Sequence, residues 1–297
     1  MSSIYFLARS GNSLARWTPR SARHAFGASI GAASYLGWPS KRNVTRLNIA
    51  QITGRPVHDP YVKRLALASW RNYGRYASDF INFPHIDVES IVRNLRDLSD
   101  GDGGWLGHMQ SALQAGRGAL LVTAHFGNWD IAGAIFAHHH PVSAIAETFS
   151  DAQLNQLLQD QRREKGIGII PMGSSARPIL RILQQNQFAA IIVDRPVAEN
   201  EGTEVTFFGR KTYVPSGPAA LALKSGAAIV PAFVWYGHHD EFYARAFRPI
   251  YPQQGKSSER AAEISRLTQC IYDVLEVMIR EWPTQWYMFR QFWPSEQ

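Results

Sequence analysis

The chain is poor in cysteine and in long apolar runs, and each shortage removes a class of protein. A single cysteine, Cys270, among 297 residues excludes an internal disulfide and any cysteine-based zinc site. It lies in a helical pattern of apolar residues (Ile264, Leu267, Ile271, Val274, Leu275, Met278), where a packed thiol is expected and a nucleophile is not. No stretch reaches the roughly 18 apolar residues of a membrane-spanning helix. There is no His-Glu-x-x-His pair, no internal repeat and no low-complexity block. The adjacent histidines His138-His139-His140 and His238-His239 read as solvated turn or helix-end residues, since neighbours on a chain point in different directions.

What the chain has is positive charge and tryptophan. Thirty-one Lys and Arg against 24 Asp and Glu leave a formal charge of +7, which implies an anionic partner: nucleic acid, anionic lipid or an acidic carrier protein. Trp17, Trp38, Trp70, Trp282, Trp286 and Trp293 lie in the terminal regions, often near Arg or Lys, a mixture suited to a bilayer interface. Ala25 to Trp38 is uncharged and rich in small residues. Arg16, Arg20 and Arg23 precede it, and Lys41, Arg42 and Arg46 follow. It is too short to cross a bilayer, has no signal-peptide layout, and fits shallow insertion or an ordinary packing helix. Peripheral attachment at the cytoplasmic face of the plasma (inner) membrane is the expectation. Asn43 to Lys63 has the look of a helix-turn-helix DNA reader. However, Pro56 and Pro60 fall where its turn and second helix should begin, and no nucleic-acid partner is expected.

Patterning divides the chain near the Gly101 to Gly104 loop. Residues 1–100 read as a helical, membrane-associating region, with Ser40 as a helix cap and Asp59-Pro60 opening a helix through about Asn82. Residues 101–297 alternate. Strands are predicted at 118–124, 142–147, 167–171, 188–193, 204–208, 228–236 and 242–248. Helices are predicted near 128–139, 150–165, 175–186, 216–225 and 258–280. This is the pattern of an α/β fold, with a mixed central sheet flanked by helices on both faces and joined to the first region as one unit.

One spacing carries chemistry. The apolar strand 118–124 ends at His125, and Asp130 follows five positions later as helical periodicity begins. With 10 His and 24 acids, chance alone supplies about 0.8 such spacings, so spacing proves little. Position adds to it, because α/β folds bind ligands beyond the carboxyl ends of their strands.

The run Thr123-Ala124-His125-Phe126-Gly127-Asn128-Trp129-Asp130 resembles the bacterial lipid A biosynthesis acyltransferase superfamily, which includes phosphatidylinositol mannoside acyltransferases. Val193-Asp194-Arg195, Glu204 to Arg210 with Val214 to Ala219, and Gln285 to Phe289 with Phe292-Trp293-Pro294 extend the resemblance over nearly the whole chain. It implies a glycerolipid-acyltransferase-like fold. It also implies transfer of a fatty acyl group from acyl-CoA or acidic acyl carrier protein, as co-substrate and without a cofactor, to a hydroxyl of a membrane glycolipid.

On that resemblance His125 is expected to be the general base and Asp130 its orienter, with Glu204 as a second carboxylate near the histidine. The backbone N–H groups of Gly127 and Asn128 are candidate oxyanion donors, Asn128 being alternatively a helix cap. Glu147 is expected to bind an acceptor sugar. Arg162, Arg195 and Arg210 are expected to meet phosphates, and Asp194 with Arg195 to shape the pocket. No serine elbow and no covalent intermediate are expected, and an apolar groove between the sheet and the N-terminal helices is to hold the acyl chain. The alternatives are a glycerolipid acyltransferase, whose Pro-Glu-Gly-Thr segment is replaced here by Val214 to Pro218, a DNA-binding regulator, and a membrane scaffold without activity.

Overall fold

The structure, a computed structural model, describes residues 17–174, 176–237 and 241–294. Its strands are β1 (Arg96–Asp97), β2 (Ala119–Thr123), β3 (Val142–Ala146), β4 (Ile167–Pro171), β5 (Phe188–Ile192), β6 (Thr203–Phe207), β7 (Arg210–Val214), β8 (Ala228–Tyr236) and β9 (Phe242–Ala246). Seven of them form one sheet in the order β1-β9-β8-β2-β5-β3-β4, and β6 and β7 form a separate hairpin. The neighbours of β2, β5 and β8, run parallel to it, whereas β8 and β9 are antiparallel, so the sheet is mixed as expected.

Ten helices are described: α1 (Arg20–Gly37), α2 (Pro39–Thr53), α3 (Pro60–Ile81), α4 (Val88–Arg93), α5 (Gly104–Leu113), α6 (Trp129–His139), α7 (Ala152–Glu164), α8 (Arg177–Gln184), α9 (Gly217–Ser225) and α10 (Arg260–Glu281).

Side-chain alternation along β2 builds two cores. Leu120 and Val122 join α2, α3, α8, α9 and α10 on one face, and Ala119 and Leu121 join α5 and α6 on the other. A strand buried on both faces reads as a continuous apolar run, which is why 118–124 was legible. The stretch before the Gly101 loop is tied into the same sheet through β1, paired with β9. The β7 strand was not anticipated. It turns back on β6 through Phe208 and Gly209, both at positive φ, and such two-residue turns match the twist of a hairpin.

Two sequence expectations change at the N-terminal region, those for Ser40 and for the terminal tryptophans. The helix containing Ser40 begins two residues earlier than a Ser40 cap implies, with Trp38 as its cap and Pro39 in its first turn, and no side chain caps it. Asp59 does cap α3, accepting from the Tyr61 N–H at 2.7 Å. The DNA-reader look-alike is packed away: Ile49, Ile52 and Val62 are core residues, and Asn48 binds backbone carbonyls of the C-terminal tail. A recognition helix needs a free face, and this one has none at those positions. Of the six terminal tryptophans, Trp70, Trp286 and Trp293 are buried and so cannot meet a bilayer. Trp17 and Trp38 are exposed.

Helix α1 crosses α3 at backbone contact distance. A Cβ at Gly27 or Gly74 would run into the other's carbonyl group, and one at Gly31 would meet the Trp70 carbonyl. Backbone atoms cannot yield as a flexible side chain can. Gly74→Leu is therefore expected to lower unfolding free energy by roughly 1–3 kcal/mol or more. Gly37→Ala, facing open space in the same helix pair, should be close to neutral. Denaturant titration of the two variants checks this, and equal midpoints would refute the crossing.

Candidate active site

Register places the reactive pair. Thr123, the last residue of β2, is opposite Ile192, the last residue of β5. Two residues beyond each lie His125 and Asp194, so parallel pairing alone brings them to one rim of the sheet. His125 Nδ1 is 2.8 Å from Asp194 Oδ1. The His125 backbone N–H donates to both carboxylate oxygens at 3.0 Å, and Trp286 Nε1 donates to Oδ2 at 2.9 Å. Asp194 is fully buried, while 43% of the His125 side chain is accessible. With Nδ1–H held by the carboxylate, the ring presents Nε2 as its free lone pair.

Asp130, the expected orienter, is committed elsewhere. It lies in the first turn of α6, and its oxygens accept from Tyr76 Oη on α3 at 2.8 Å and Arg162 Nε on α7 at 2.7 Å. All three side chains are buried or nearly so. Asp130 thus fastens α6 to its neighbours, and the five-residue spacing does not pair it with His125. Arg162 is consumed in the same network and is not a free phosphate ligand.

The turn between β2 and α6 is similarly filled. Gly127 has φ +60°, and a Cβ there would strike the Val234 carbonyl and Trp235. Its N–H donates to Gln285 O at 2.9 Å and that of Asn128 to Val234 O at 2.8 Å, so neither serves as an oxyanion donor. Asn128 is the helix cap: Oδ1 accepts from Ile131 N–H and Nδ2 donates to Tyr236 Oη.

The remaining expected residues separate. Glu147, exposed just beyond β3, acts electrostatically on His125. Glu204 does not share the site. It projects from the outer face of the hairpin, paired with Lys211 at 2.8 Å and with Tyr213, while Val205 and Phe207 face inward. Arg210 is a structural clasp, donating to the Pro294 carbonyl at 2.9 Å. Arg195 is exposed next to Asp194 but makes no pair with it, its described contact being Met172 Sδ at 3.8 Å.

Other expectations find their outcome here too. The chain does contain one Gly-x-Ser-x-Gly spacing, Gly27 to Gly31, where none was expected. Ser29 lies mid-helix with its hydroxyl bonded back to the Ala25 carbonyl, which is no nucleophile elbow. His138 and His139 close α6, and no metal-holding cluster occurs among the described residues; His238 and His239 lie outside them. Much of the space expected to hold an acyl chain is packed, Ile49, Val62 and Trp70 joining Leu120 and Val122 in one core. The apolar surface left near His125 is the aromatic run Trp129, Tyr73 and Phe289, with Trp129 5.3 Å from the imidazole. An open groove of about 620 Å³ lies between the β6–β7 hairpin and α10, away from this chemistry, and its lining includes Asp273, Glu276 and Glu281 together with Arg280.

Sequence reasoning missed Trp286, which binds Asp194, and Arg290, whose charge acts on His125. Trp286 carried a readable signal, since a buried indole N–H needs an acceptor. Arg290 carried none.

The family model for bacterial lipid A biosynthesis acyltransferases matches residues 2–295. Phosphatidylinositol mannoside acyltransferase of Mycolicibacterium smegmatis is 31% identical over 280 residues, covering 93% of this chain and 86% of that protein. The protein of the same name from Mycobacterium tuberculosis is 31% identical over 282 residues, covering 92% and 83%.

Burial works against protonation of His125, but the Asp194 carboxylate outweighs it and holds the imidazole above its ordinary value. Burial would raise Asp194, yet His125 and the other donors bring it below the usual carboxylate range. The His125 part of this stabilisation is complete below the unfolded histidine value and fades as pH rises through the folded one. The Asp194 part is present above the unfolded carboxylate value and is lost as pH falls through the folded one. Asp194→Asn is therefore expected to move the His125 titration, followed by NMR of the ring protons, to lower pH. An unmoved titration would separate the two residues.

Proposed function

The chain belongs to the bacterial lipid A biosynthesis acyltransferase family, and from that premise we propose that it transfers a fatty acyl chain from a thioester to a glycolipid hydroxyl. The donor is acyl-CoA or acyl carrier protein, and the acceptor is of the phosphatidylinositol-mannoside or lipid A type. Identity to two proteins named phosphatidylinositol mannoside acyltransferase favours the former. The observation that carries the reading is the His125–Asp194 pair at the open rim of the sheet.

In the mechanism that follows, His125 Nε2 takes the proton of the acceptor hydroxyl. The freed oxygen attacks the thioester carbonyl carbon, whose π electrons pass to its oxygen. Collapse of this intermediate expels the thiolate, which receives the proton back from the imidazolium. Asp194 keeps the ring in the tautomer that leaves Nε2 unprotonated and stabilises the imidazolium between the two steps. Glu147, exposed beyond β3 and acting electrostatically on His125, is assigned to hydrogen-bond the acceptor. No covalent acyl-enzyme is required.

Membrane attachment belongs to the same proposal. No described helix is long and apolar enough to cross a bilayer. Helix α1 nevertheless turns Phe26, Ile30 and Leu36 outward, 51–69% exposed, with Trp38 beyond its end and Lys41 and Arg46 following. Its opposite face, Gly27, Gly31 and Tyr35, is buried. An apolar face flanked by cations fits shallow insertion at an anionic surface.

His125→Ala is expected to abolish transfer of a C16 acyl group from acyl-CoA to a phosphatidylinositol mannoside, read by lipid mass spectrometry, with vesicle binding retained. Asp194→Asn should lower turnover by roughly 10²–10⁴. Persistence of full turnover in His125→Ala would end the assignment. Separately, Phe26→Asp with Ile30→Asp should abolish co-sedimentation with anionic vesicles without touching the site. Unchanged sedimentation would dismiss α1 as the docking face.

A further inference from the structure

The acyl-transfer intermediate carries negative charge on the former carbonyl oxygen, and most groups expected to receive it are taken. The backbone N–H groups from His125 to Asn128 all donate to protein oxygens: to Asp194, Ala124 O, Gln285 O and Val234 O. Arg162 is bound by Asp130, and Arg210 by the C-terminal tail. Yet neutral N–H donors or a cation at this point usually supply one of the larger shares of catalysis.

The tail from Gln285 onward brings a cation to the place. Tyr287 N–H donates to His125 O at 2.8 Å, and Trp286 bridges Phe126 in antiparallel fashion, so the tail runs alongside the catalytic turn. Beyond it, buried Asn48 on α2 staples the segment from both sides. Its Nδ2 donates to Met288 O at 2.9 Å and Arg290 O at 2.7 Å, and its Oδ1 accepts from Phe292 N–H at 3.3 Å. The backbone of Arg290 is thereby fixed while its side chain stays exposed. Among the described residues its guanidinium has no hydrogen bond or ion pair, and its charge is felt at His125.

We propose that Arg290 is a catalytic residue of the acyl transfer, its guanidinium binding the thioester oxygen as that oxygen gains charge. This rests on the acyltransferase reading above. When the deprotonated acceptor oxygen bonds to the carbonyl carbon, the C=O π pair moves to the oxygen, and two parallel N–H groups of the planar guanidinium meet it there. As the C–S bond breaks, the pair returns to the carbonyl and the contact weakens. Arginine suits the task because it stays charged at any working pH and its fork fixes direction. Asn48 is the positioning residue that sets the reach of that fork.

The experiment compares the intact protein with Arg290→Gln, Arg290→Lys and Asn48→Ala, using C16 acyl-CoA and a phosphatidylinositol mannoside in mixed micelles. Arg290→Gln is expected to lose about 10²–10³ in kcat, with KM for the thioester changed by less than about threefold. Arg290→Lys should recover part of the loss. Arg290 opposes protonation of His125, so in Arg290→Gln the acidic limb of the kcat/KM profile should move to higher pH. In Arg290→Lys, which keeps the charge, it should stay. Asn48→Ala should lower kcat with the limb only partly displaced. Turnover of Arg290→Gln within about threefold of the intact protein, a loss confined to KM, or an unmoved limb would each overturn the proposal while leaving the acyltransferase reading standing. If the intact protein transfers nothing from the thioester, both fall together.

Discussion

A buried carboxylate with more than one donor organises the working end of this protein. Asp194 is removed from water, which is costly for a charge unless every lone pair finds a partner. Its partners are the His125 backbone N–H, the His125 ring and the Trp286 indole, drawn from the ends of two strands and from the C-terminal tail. Removing one of these donors would leave part of a buried charge unmet, which is destabilising. The His125 tautomer, the junction of β2 with β5 and the docking of the tail are therefore one interaction seen from three sides.

Two other buried carboxylates secure the surroundings. Asp130 joins α6 to α3 and α7 through Tyr76 and Arg162. Asp79 on α3 accepts from Tyr236 at 2.9 Å, is bound by His24 of α1 at 2.9 Å, and lies 3.5 Å from Asn128 Nδ2. Because Asn128 caps α6 directly after the turn at His125, the N-terminal helices are wired into the candidate site by hydrogen bonds as well as by packing. The glycine crossing of α1 on α3 brings the same helix close enough for His24 to reach inward while Phe26 and Ile30 face outward. The helix proposed to meet lipid and the turn that carries His125 thus share a buried polar chain.

Most of the fold was legible because both faces of the central strands are buried. Seven apolar segments read as strands agree with observed ones to within two residues at each end, and the helices between them agree as closely. The second hairpin strand, Arg210–Val214, was hidden because it is short, polar on one face and ends against Pro215. Glu204 was expected near the histidine from the resemblance alone, and the hairpin instead turns it outward to Lys211 and Tyr213. Trp70, Trp286 and Trp293 were read as interfacial from composition, and packing with their neighbours buried them.

By itself the sequence determined the alternation of strand and helix, the arrival of a histidine at a strand's end and, through ordered motifs, the family. Only the tertiary structure decided which acid holds that histidine. The nearby Asp130 enters a helix whose first turn aims it at Tyr76 and Arg162, whereas Asp194, 69 residues away, is brought opposite by the parallel register of β2 and β5. Strand adjacency is a long-range choice among possible pairings, and no local spacing encodes it.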